Sequence, residues 1–418
     1  MSTDTRITDT RITGCRFCGG ALSIGLCDLG ETPLANSYVA PERAHLPDPV
    51  FPLNAVVCER CHLVQLDHIA DAASIFSNYA YFSSFSSTWL AHAAAFTRDA
   101  IARHSLGPAS FVAEIASNDG YLLRNFVAAG IPCLGVEPAA NVAAAAIAAG
   151  VPTEIAFFGR DRARSIVATR GHADLVIANN VLAHVPDLDD FVGGLAILAG
   201  PHGTVSIEAP HLLALIEQTQ FDTIYHEHYA YWSLHAMRQV LAAHGLKVSA
   251  VEILPTHGTS LRVSASANAA PRDPLVFADV AAREAAAGID GVALYRGFDA
   301  KVQTVLAKFR AWLAAARGEG RRVAAYGAAA KGNTFLNAGR FTHRDILMVA
   351  DRNPEKQGRL LPGSRIPIVN PEALLAARPD DVVILPWNIA GEVARELAPL
   401  RAQGTRLWVA VPVLREIP

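Results

Sequence analysis

The chain has 418 residues, with 36 basic and 39 acidic side chains and a formal net charge of −3. This length allows two or three domains, each with a hydrophobic core of its own. The near balance of charge, without a basic tail or stripe, argues against a nucleic-acid-binding protein. Apolar residues make up 51% of the sequence, but no uncharged apolar run reaches the roughly 18 residues of a membrane span. The alanine-rich stretch at residues 141–151 is too short for a span and predicts a buried helix.

Residues 1–14 are polar and rich in threonine, and the hexapeptide Thr-Asp-Thr-Arg-Ile-Thr occurs in them twice. They lack the apolar core of a signal peptide. We therefore expect a disordered tail at residues 1–14 and a cytoplasmic location for the protein.

Four of the six cysteines form two Cys-x-x-Cys pairs, Cys15-Arg-Phe-Cys18 and Cys58-Glu-Arg-Cys61. A two-residue gap lets two thiolates reach one ion from a tight turn, and two such pairs complete a tetrahedral shell. Buried cysteines or redox pairs are the weaker alternative, because a reducing cytosol disfavours disulfides and a redox motif needs only one pair. We predict a structural zinc ion, with no open position for chemistry, bound by Cys15, Cys18, Cys58 and Cys61. Cys27 and Cys133 are expected in the core and His62 at the surface.

After the second cysteine pair, residues 71–104 predict a loop and then an alanine-rich helix. From residue 110, short apolar runs alternate with helical stretches, which is typical of a parallel sheet with crossover helices. The predicted strands of this first unit are residues 111–116, 133–136, 174–178 and 203–208. Beyond a helical segment at residues 271–320, a second unit has predicted strands at residues 322–326, 346–350, 382–385 and 407–411. The expected fold class is α/β, with two Rossmann-like units behind a small zinc domain.

The first strand of this series leads into Glu114-Ile-Ala-Ser-Asn-Asp-Gly120, and a helix is predicted at residues 122–129. One glycine is too few for a dinucleotide-binding turn, whereas an acidic residue near the strand end suits a ligand with an amino group. Glu137 lies at the tip of the next strand, where a carboxylate can hold ribose hydroxyls. We infer an S-adenosylmethionine site in preference to a nicotinamide site. Its predicted contacts are Glu114, Ala116, Asn118, Gly120, Tyr121, Leu122, Glu137, Pro138, Asn179 and Asn180.

A run rich in acid–base side chains starts at Tyr225-His-Glu-His228 and ends at Ser233, the predicted N-cap of a helix that reaches His244. Loops of this composition serve chemistry or binding, because a core needs neither the charges nor the hydroxyls. A solvated loop with structural histidines is the alternative. His-Glu-His lacks the His-Glu-x-x-His spacing of a zinc protease helix. The sequence therefore favours base chemistry over metal chemistry in this loop.

Together these motifs resemble those of the sugar C-methyltransferases. The shared features are the cysteine pairs around Asp28-Leu-Gly-Glu-Thr-Pro-Leu-Ala-Asn36, the segments at residues 114–120 and 225–228, His257-Gly-Thr-Ser-Leu-Arg262 and Ala325-Tyr-Gly-Ala-Ala-Ala-Lys-Gly-Asn333. Thr259 departs from the pattern, since the family often has a second glycine there. The resemblance implies a zinc domain, a central S-adenosylmethionine domain and a C-terminal Rossmann-like domain, at residues 15–75, 76–250 and 251–418.

The bacterial enzymes of that family act on nucleotide-linked deoxysugars in antibiotic and surface-glycan pathways. The resemblance therefore implies C-methylation of a 4-keto deoxysugar, expected to be dTDP-linked and methylated at C3 through an enolate. His228 is the expected base, with Glu227 orienting a ring or the sugar, and Tyr225 is the alternative base. Tyr225, Tyr79 and His184 are candidate donors to the enolate oxygen, and the alternative for Tyr79 and His184 is that they only line the cofactor pocket.

In the C-terminal unit, backbone amides and the Lys331 ammonium follow a strand and suit a diphosphate. The expected substrate contacts are His257, Ser260, Arg262, Tyr326, Lys331, Asn333, Asp351, Arg352, Trp387 and Asn388. A zinc-ribbon RNA methyltransferase is a rival function, which the balanced charge disfavours. A nonenzymatic nucleotide-sugar-binding protein is another, but it would not need the carboxylates and residues 225–228 together. We thus expect a nucleotide sugar as partner, with no nucleic acid or membrane, and a monomer as the working assembly.

Overall fold

The computed structural model describes residues 9–71, 75, 82–268 and 274–417. Its N-terminal domain contains the short strands β1 (Asp9–Arg11), β2 (Ile24–Thr32), β3 (Phe51–Val57), β4 (Val64–Leu66) and β5 (His68–Ala70). Strand β1 pairs antiparallel with β5, so the expectation of a disordered tail through residue 14 is wrong for Asp9–Arg11. Main-chain hydrogen bonds to β5 order this polar segment, and amino-acid composition does not reveal such pairing.

The middle domain is built on a mixed sheet. Its elements are α1 (Ser87–His104), β6 (Val112–Ile115), α2 (Leu123–Ala128), β7 (Cys133–Glu137), α3 (Ala140–Ala148), β8 (Thr153–Ile155), α4 (Arg160–Arg170), β9 (Leu175–Asn179), α5 (Leu188–Ala199), β10 (Thr204–Pro210), α6 (Leu212–Glu217), β11 (Ala230–Tyr231), α7 (Leu234–Ala243), β12 (Lys247–Leu254) and β13 (Ser260–Ser266). Over the described residues, the sheet order is β12-β13-β10-β9-β6-β7-β8. Strands β6 to β10 of this sheet run parallel, and β13 pairs antiparallel with both β10 and β12.

The C-terminal domain follows with α8 (Pro274–Ala287), α9 (Phe298–Gly318), β14 (Val323–Tyr326), α10 (Ala330–Ala338), β15 (Val349–Ala350), β16 (Ile368–Val369), α11 (Pro371–Ala377), β17 (Asp381–Ile384), α12 (Ala390–Glu396), α13 (Ala398–Arg401), β18 (Arg406–Val409) and β19 (Arg415–Ile417). Its sheet, in the part of the chain that is described, has the order β16-β15-β14-β17-β18-β19. Among the described strand pairings of this sheet, only that of β18 with β19 is antiparallel.

The two sheets arrange their parallel strands in the same way. Numbered along the chain within each domain, these strands lie in the order third, second, first, fourth, fifth. In such a sheet the winding reverses between the first and fourth strands, and ligands bind in the crevice at their carboxyl ends. The expected crevices therefore lie beyond β6 and β9 in the middle domain, and beyond β14 and β17 in the C-terminal domain.

The N-terminal domain contacts both α/β domains. One apolar core combines Leu53 of β3 with Phe309 of α9 and residues of the C-terminal sheet. In addition, β11 belongs to the N-terminal sheet, where it pairs antiparallel with β4 and Ala230 lies opposite Gln65. The loop that precedes β11, which carries residues 225–228, is therefore fixed to the zinc domain by main-chain hydrogen bonds.

The strands predicted in both α/β regions are confirmed, although several bounds shift by one to three residues. Their apolar runs are uninterrupted because the central strands are buried along their length. The alanine-rich stretch forms α3, and the Ser233 side chain caps α7 by accepting from the backbone N–H of Ala236. None of the helices in the described ranges has the length and apolar content of a membrane span.

Candidate active site

A cavity of about 1100 Å³ lies where the three domains meet. Its walls include Asn36 from the N-terminal domain, His184 and Tyr225 from the middle domain, and Lys331 and Asp351 from the C-terminal domain. The cavity thus opens onto the carboxyl ends of both sheets, where ligand crevices are expected. Its volume lies at the upper end of the range for a small-molecule site, so it has room for more than one ligand.

The loop after β6 turns tightly on the middle-domain side of this cavity. Ala116, Asn118 and Gly120 have φ angles of 57°, 52° and 74°. These angles lie in the left-handed region, which glycine adopts without strain and alanine rarely adopts. At Gly120, a Cβ atom would also lie 2.9 Å from Cγ2 of Val151. Two residues of this loop other than glycine thus adopt angles that favour glycine. The single glycine in the sequence therefore underestimates how tightly the loop turns beside a ligand.

Glu137 braces that loop from the end of β7. Its Oε2 accepts from the backbone N–H of Asn118 and its Oε1 from that of Ala139, both at 2.9 Å. Burial raises the pKa of Glu137, and the two N–H donors oppose the rise. The carboxylate lines the cavity, where its remaining lone pairs can accept from hydroxyl groups.

Of three buried polar groups near this loop, those of Asn179 and Asn180 line the cavity, whereas that of Glu114 does not. Oε2 of Glu114, Oδ1 of Asn179 and Nδ2 of Asn180 have no hydrogen-bond partner within the described residues. Burial raises the pKa of Glu114 well above its ordinary value, and the neighbouring Glu137 adds to the effect. The amide groups of Asn179 and Asn180 at the cavity wall would pair with a polar ligand, such as the amino-acid end of S-adenosylmethionine.

The predicted cofactor contacts divide into two groups. Those on the cavity wall are Ala116, Asn118, Tyr121, Glu137, Pro138, Asn179 and Asn180. Glu114, Gly120 and Leu122 are buried behind the wall. Leu122 packs with Phe126 in the core under the sheet, so its predicted contact with the cofactor is not supported.

Tyr225 and His228 form a hydrogen-bonded pair on the cavity wall. The Tyr225 hydroxyl lies 2.7 Å from Nε2 of His228, and Nδ1 of His228 lies 2.8 Å from the carbonyl oxygen of Thr223. Since a carbonyl oxygen only accepts, Nδ1 carries the proton of the neutral ring. Nε2 then accepts from the Tyr225 hydroxyl. The pair places an unprotonated imidazole nitrogen beside a phenol at the cavity.

His184 faces His228, with ring centroids 4.8 Å apart. Its Nδ1 donates to the carbonyl oxygen of Glu227 at 2.7 Å, and burial lowers the pKa of His184 to about 4. The ring is therefore neutral at pH 7, and its Nε2 has a lone pair where a proton would be needed for donation. This geometry contradicts the expectation that His184 donates to an enolate oxygen.

Asn36 is a residue of the site to which the sequence assigned no role. Its Nδ2 donates to Oε1 of Glu227 at 2.7 Å, and the hydroxyl of Tyr38 lies 3.1 Å from its Oδ1. Asn36 is the last residue of the motif at residues 28–36, which supported the family resemblance. A single sequence has no pattern that shows the contact of this motif with Glu227. Tyr79, the other catalytic candidate, lies outside the described residues.

The C-terminal domain repeats the arrangement around Glu137. Asp351 follows β15, and its Oδ2 accepts from the backbone N–H of Ala328 at 2.8 Å while its Oδ1 accepts from that of Asn353 at 2.9 Å. In each domain, a carboxylate after the second strand thus braces the loop after the first strand and lines the cavity. A carboxylate in this position is suited to ribose hydroxyls.

Lys331 connects this side of the cavity, through Trp387, with Asp222, which precedes the loop at residues 225–228 (the catalytic loop below). Its Nζ lies 4.9 Å from the ring centroid of Trp387, whose Nε1 donates to Oδ2 of Asp222 at 2.7 Å. Burial raises the pKa of Asp222 to about 6, and Lys331 opposes the rise. Lys331 lines the cavity, whereas Trp387 lies behind the wall, so the predicted contact between Trp387 and the sugar is not supported.

Other predicted substrate contacts also divide between the wall and the core. Tyr326, Arg352 and Asn388 line the cavity, and Tyr326 and Arg352 share Glu396 as a hydrogen-bond partner. Asn333 is buried with its Nδ2 donating to the carbonyl of Ala35, so it points away from the cavity.

In the motif at residues 257–262, the side chains that the structure describes pack inside the protein and do not line the cavity. Arg262 is buried on β13 and donates to Glu208 at 2.8 Å, because the antiparallel register places the two side by side. Burial opposes ionisation of Glu208, but His92 and Arg262 outweigh it and hold its pKa at about 2. Ser260 is buried as well, so neither Ser260 nor Arg262 is a wall residue. The side chain of His257 lies outside the described part.

Thr259, in the same motif, has a φ angle of 113°. This conformation favours glycine, so threonine is strained at a position where the family often has glycine. Next to it, Gly258 lies against the indole of Trp387, where a Cβ atom would come within 2.3 Å of the ring. The segment is therefore shaped by close packing between the middle and C-terminal domains.

The four paired cysteines lie together as predicted. The sulfur atoms of Cys15, Cys18, Cys58 and Cys61 all lie within 4.8 Å of one another. Two of the separations are 3.4 and 3.6 Å, close to the roughly 3.8 Å expected for thiolates around a tetrahedral zinc ion. A Cβ atom at Gly20 would lie 2.9 Å from Sγ of Cys58, so the turn leaves room only for glycine. The donor set fits a closed structural zinc site.

Comparisons with known proteins agree with this domain order. Family models match a zinc binding domain at residues 15–76, a methyltransferase domain at residues 89–251 and the C-methyltransferase C-terminal domain at residues 255–412. The C-methyltransferase NovU of Streptomyces niveus is 35% identical over 396 residues, which cover 94% of each chain.

Solved structures are similar to a smaller part of the chain. Magnesium protoporphyrin IX methyltransferase (ChlM) from Synechocystis PCC 6803, with bound SAM, is 15% identical, with 42% of this chain and 78% of that chain covered and a TM-score of 0.32. The PH0226 protein from Pyrococcus horikoshii OT3 is 11% identical, with 46% and 97% covered and a TM-score of 0.35.

Proposed function

Since the chain belongs to the C-methyltransferase family, and is a class I S-adenosylmethionine-dependent enzyme with a structural zinc site, we propose that its substrate is a nucleotide-linked 4-keto deoxysugar. We propose methylation at C3, next to the ketone, through an enolate. The observation that carries this proposal is the Tyr225–His228 pair, which lies between two carboxylate-braced loops that face one cavity.

A carbon atom becomes nucleophilic when the proton beside a carbonyl group is removed. S-adenosylmethionine supplies the electrophilic methyl group when it is bound. His228 is suited to remove the proton, because its Nε2 is unprotonated in the neutral ring and its Nδ1–H is fixed by Thr223. Nε2 has one lone pair, so the Tyr225 hydroxyl proton first turns from Nε2 towards the ketone oxygen. The C–H bond then breaks, the proton goes to Nε2, and the electron pair moves onto the ketone oxygen as the enolate forms.

Proton uptake by His228 changes what Tyr225 can do. Once Nε2 carries a proton it donates to the Tyr225 oxygen, which reverses the hydrogen bond between them. The phenol proton is then available for the oxygen on which negative charge develops. One pair of side chains thereby combines a base with a donor to the enolate.

The nucleotide end of the substrate is proposed to bind the C-terminal side of the cavity. Asp351 has the same backbone contacts as Glu137, so it is suited to ribose hydroxyls of a second nucleoside. Lys331 and Arg352 line the same wall and bring positive charge for a diphosphate. We propose a dTDP-linked sugar, while the cytoplasmic location remains a prediction from the sequence.

The test incubates the protein with methyl-labelled S-adenosylmethionine and a panel of nucleotide-linked 4-keto deoxysugars that includes dTDP derivatives. We expect a mass increase of one methyl group on one sugar, at the carbon next to the ketone. Binding of a sugar without methyl transfer would instead indicate a nonenzymatic binding protein. Methylation of RNA, but of no sugar, would indicate an RNA methyltransferase.

The Asp351→Asn variant tests the nucleotide assignment separately. It should raise the KM for the nucleotide sugar by about tenfold, since one hydrogen-bonded contact of a carboxylate is lost. Its affinity for S-adenosylmethionine should equal that of the wild type, because Asp351 lies across the cavity from Glu137. Equal losses for both ligands would indicate general damage to the cavity.

A further inference from the structure

Arg16 lies inside the first zinc pair, between Cys15 and Cys18, yet its side chain extends away from the sulfur atoms. Its Nη1 donates to the carbonyl oxygens of Val185 and Pro186, at 2.7 and 3.0 Å. Its Nη2 donates to the carbonyl oxygen of Tyr229 at 2.5 Å. A single guanidinium group thus joins two separate loops of the middle domain.

These two loops carry the facing histidines of the cavity. Val185 directly follows His184, and Tyr229 directly follows His228. A shift of either carbonyl would move the adjacent histidine backbone, and with it the 4.8 Å separation of the two rings. Arg16 therefore holds the backbone next to His184 and next to His228, although its own side chain does not line the cavity.

The residue type matches this position. The guanidinium group of an arginine stays protonated in proteins and offers five N–H donors. The planar fork of a guanidinium can donate to several acceptors at once, whereas a lysine ammonium offers a point charge with a different geometry. Arg16 is the residue type that can serve three carbonyl groups from one side chain.

The zinc site in turn fixes Arg16. Its backbone N–H donates to Oε1 of Gln65, and Nε2 of Gln65 lies 3.1 Å from Sγ of Cys15. The backbone turn that carries Arg16 is therefore held by Gln65, which also contacts one of the predicted zinc ligands. Gln65 also lies opposite Ala230 in the pairing of β4 with β11, so both connections to the catalytic loop start from one place.

We infer that Arg16 is a positioning residue, through which the zinc site sets the spacing of His184 and His228 for catalysis. The catalytic part of this inference rests on the proposed function, in which His228 acts as the base. The connection between the zinc turn and the two histidine loops rests on the hydrogen bonds alone. Zinc then serves turnover by orienting an arginine, in addition to stabilising its domain.

The experiment compares Arg16→Met and Arg16→Lys with Arg60→Met in the full-length, zinc-loaded protein. Arg60 is the matched control, because it lies inside the second zinc pair and its exposed side chain donates to the carbonyl oxygen of Cys18. Four quantities are measured: zinc per chain, affinity for S-adenosylmethionine, kcat and KM with the keto sugar that the wild type methylates, and exchange of the Nδ1 protons of His184 and His228 by nuclear magnetic resonance.

We expect Arg16→Met to keep its zinc and to bind S-adenosylmethionine within about twofold of the wild type, whereas its kcat falls by about ten- to a hundredfold, the range for a small misplacement of catalytic groups. Both Nδ1 protons should exchange at least about tenfold faster, since the backbone next to each histidine is no longer held by Arg16 and the ring can move away from its carbonyl partner. Arg16→Lys should lie between Arg16→Met and the wild type. Arg60→Met should match the wild type in all four measurements.

Two results would overturn the inference. One is an Arg16→Met protein with the same kcat and proton exchange as Arg60→Met. The other is loss of zinc together with loss of turnover in both Arg16 variants, which would make Arg16 a folding residue. If Arg16→Met does not fold, Arg16→Lys decides, and full turnover by Arg16→Lys would also count against the inference. If the wild type methylates no keto sugar, the proposed function fails, but the proton exchange still tests the role of Arg16.

Discussion

The Tyr225 hydroxyl donates to Nε2 of His228, so the two side chains share one proton at the wall of the cavity. The proton acceptor and its neighbour therefore act as a unit, and removing either one changes the protonation of the other. The Nδ1–H of His228 is fixed by the carbonyl of Thr223, which leaves Nε2 as the nitrogen that can accept. The first two predictions follow from this pair.

His228→Asn should lower kcat by about two to four orders of magnitude, the usual effect of a missing general base, and leave binding of both ligands nearly unchanged. Tyr225→Phe should lower kcat less, because it removes only the donor to the enolate. Steady-state kinetics and calorimetry measure both effects. Tyr295→Phe is the control, since it removes a buried hydroxyl that donates to the carbonyl of Ile289 outside the cavity. Near-normal turnover by His228→Asn with complete loss in Tyr225→Phe would assign the base to the tyrosine.

Proton removal can also be followed without methyl transfer. With S-adenosylhomocysteine in place of the methyl donor, the wild type in deuterated water should exchange the sugar proton next to the ketone, provided that solvent reaches the base. His228→Asn should not exchange it. Nuclear magnetic resonance of the sugar gives the rate. Equal exchange in the two proteins would show that His228 is not the base.

The zinc prediction concerns Cys58→Ser. The wild type should contain one zinc ion per chain by elemental analysis, and the variant should lose it, because three thiolates leave the tetrahedral shell incomplete. We expect a lower Tm and a lower kcat, although no group of the cavity is altered. Cys133→Ser is the control, since Cys133 is buried in β7 away from the metal site. Full zinc content in Cys58→Ser would contradict the assigned ligand set.

Glu137→Ala should weaken S-adenosylmethionine binding by about tenfold or more, because the cavity loses a ribose partner and the loop loses two backbone contacts. Calorimetry measures the change. Glu154→Ala serves as the control, since Glu154 lies on the neighbouring strand β8 and pairs with Arg162 outside the cavity. Unchanged affinity in Glu137→Ala would count against the position assigned to the cofactor.

Stability should fall as the pH decreases from about 6.5 to 4. Burial lowers the pKa of His226 to about 4, from 6.5 in an unfolded chain. In this window the unfolded chain takes up a proton that the folded chain rejects, so protonation favours unfolding. His226→Gln should remove on the order of 2 kcal/mol of the loss between pH 7.5 and 5. Urea unfolding at both pH values measures it, with the exposed His202→Gln as the control; an equal loss in all three proteins would contradict the prediction.

The sequence predicts the parts of this structure that depend on local patterns. The zinc ligands follow from cysteine spacing, and the central strands follow from apolar runs that only a sheet buried on both faces needs. The short edge strand β8 and the hairpin of β12 and β13 were not predicted. Strands β8 and β12 lie at the two edges of the described sheet, where alternation is a weak signal, and β13 also pairs with β10, which lies much earlier in the chain.

The errors at the site share one cause. Arg262 was predicted to contact the sugar because of its motif, but the register of β13 places it opposite Glu208. Asn333 and Trp387 likewise face a neighbouring domain. Asn36 and Arg16 reach the catalytic loop from the N-terminal domain, and a single sequence does not show which loops meet across domains. The direction of a side chain, within a sheet or between domains, is set by strand register and tertiary packing, which local periodicity does not encode.

The pairing of β11 with β4 also bears on the order in which the protein is made. The two cysteine pairs leave the ribosome early, and they are free to take up zinc before the middle domain is synthesised. The strand that covers β4 arrives only at residues 230–231, so until then β4 is an open sheet edge. A nascent or truncated chain that ends before residue 230 should therefore have a metal-loaded but unprotected first domain, prone to associate with other copies of itself.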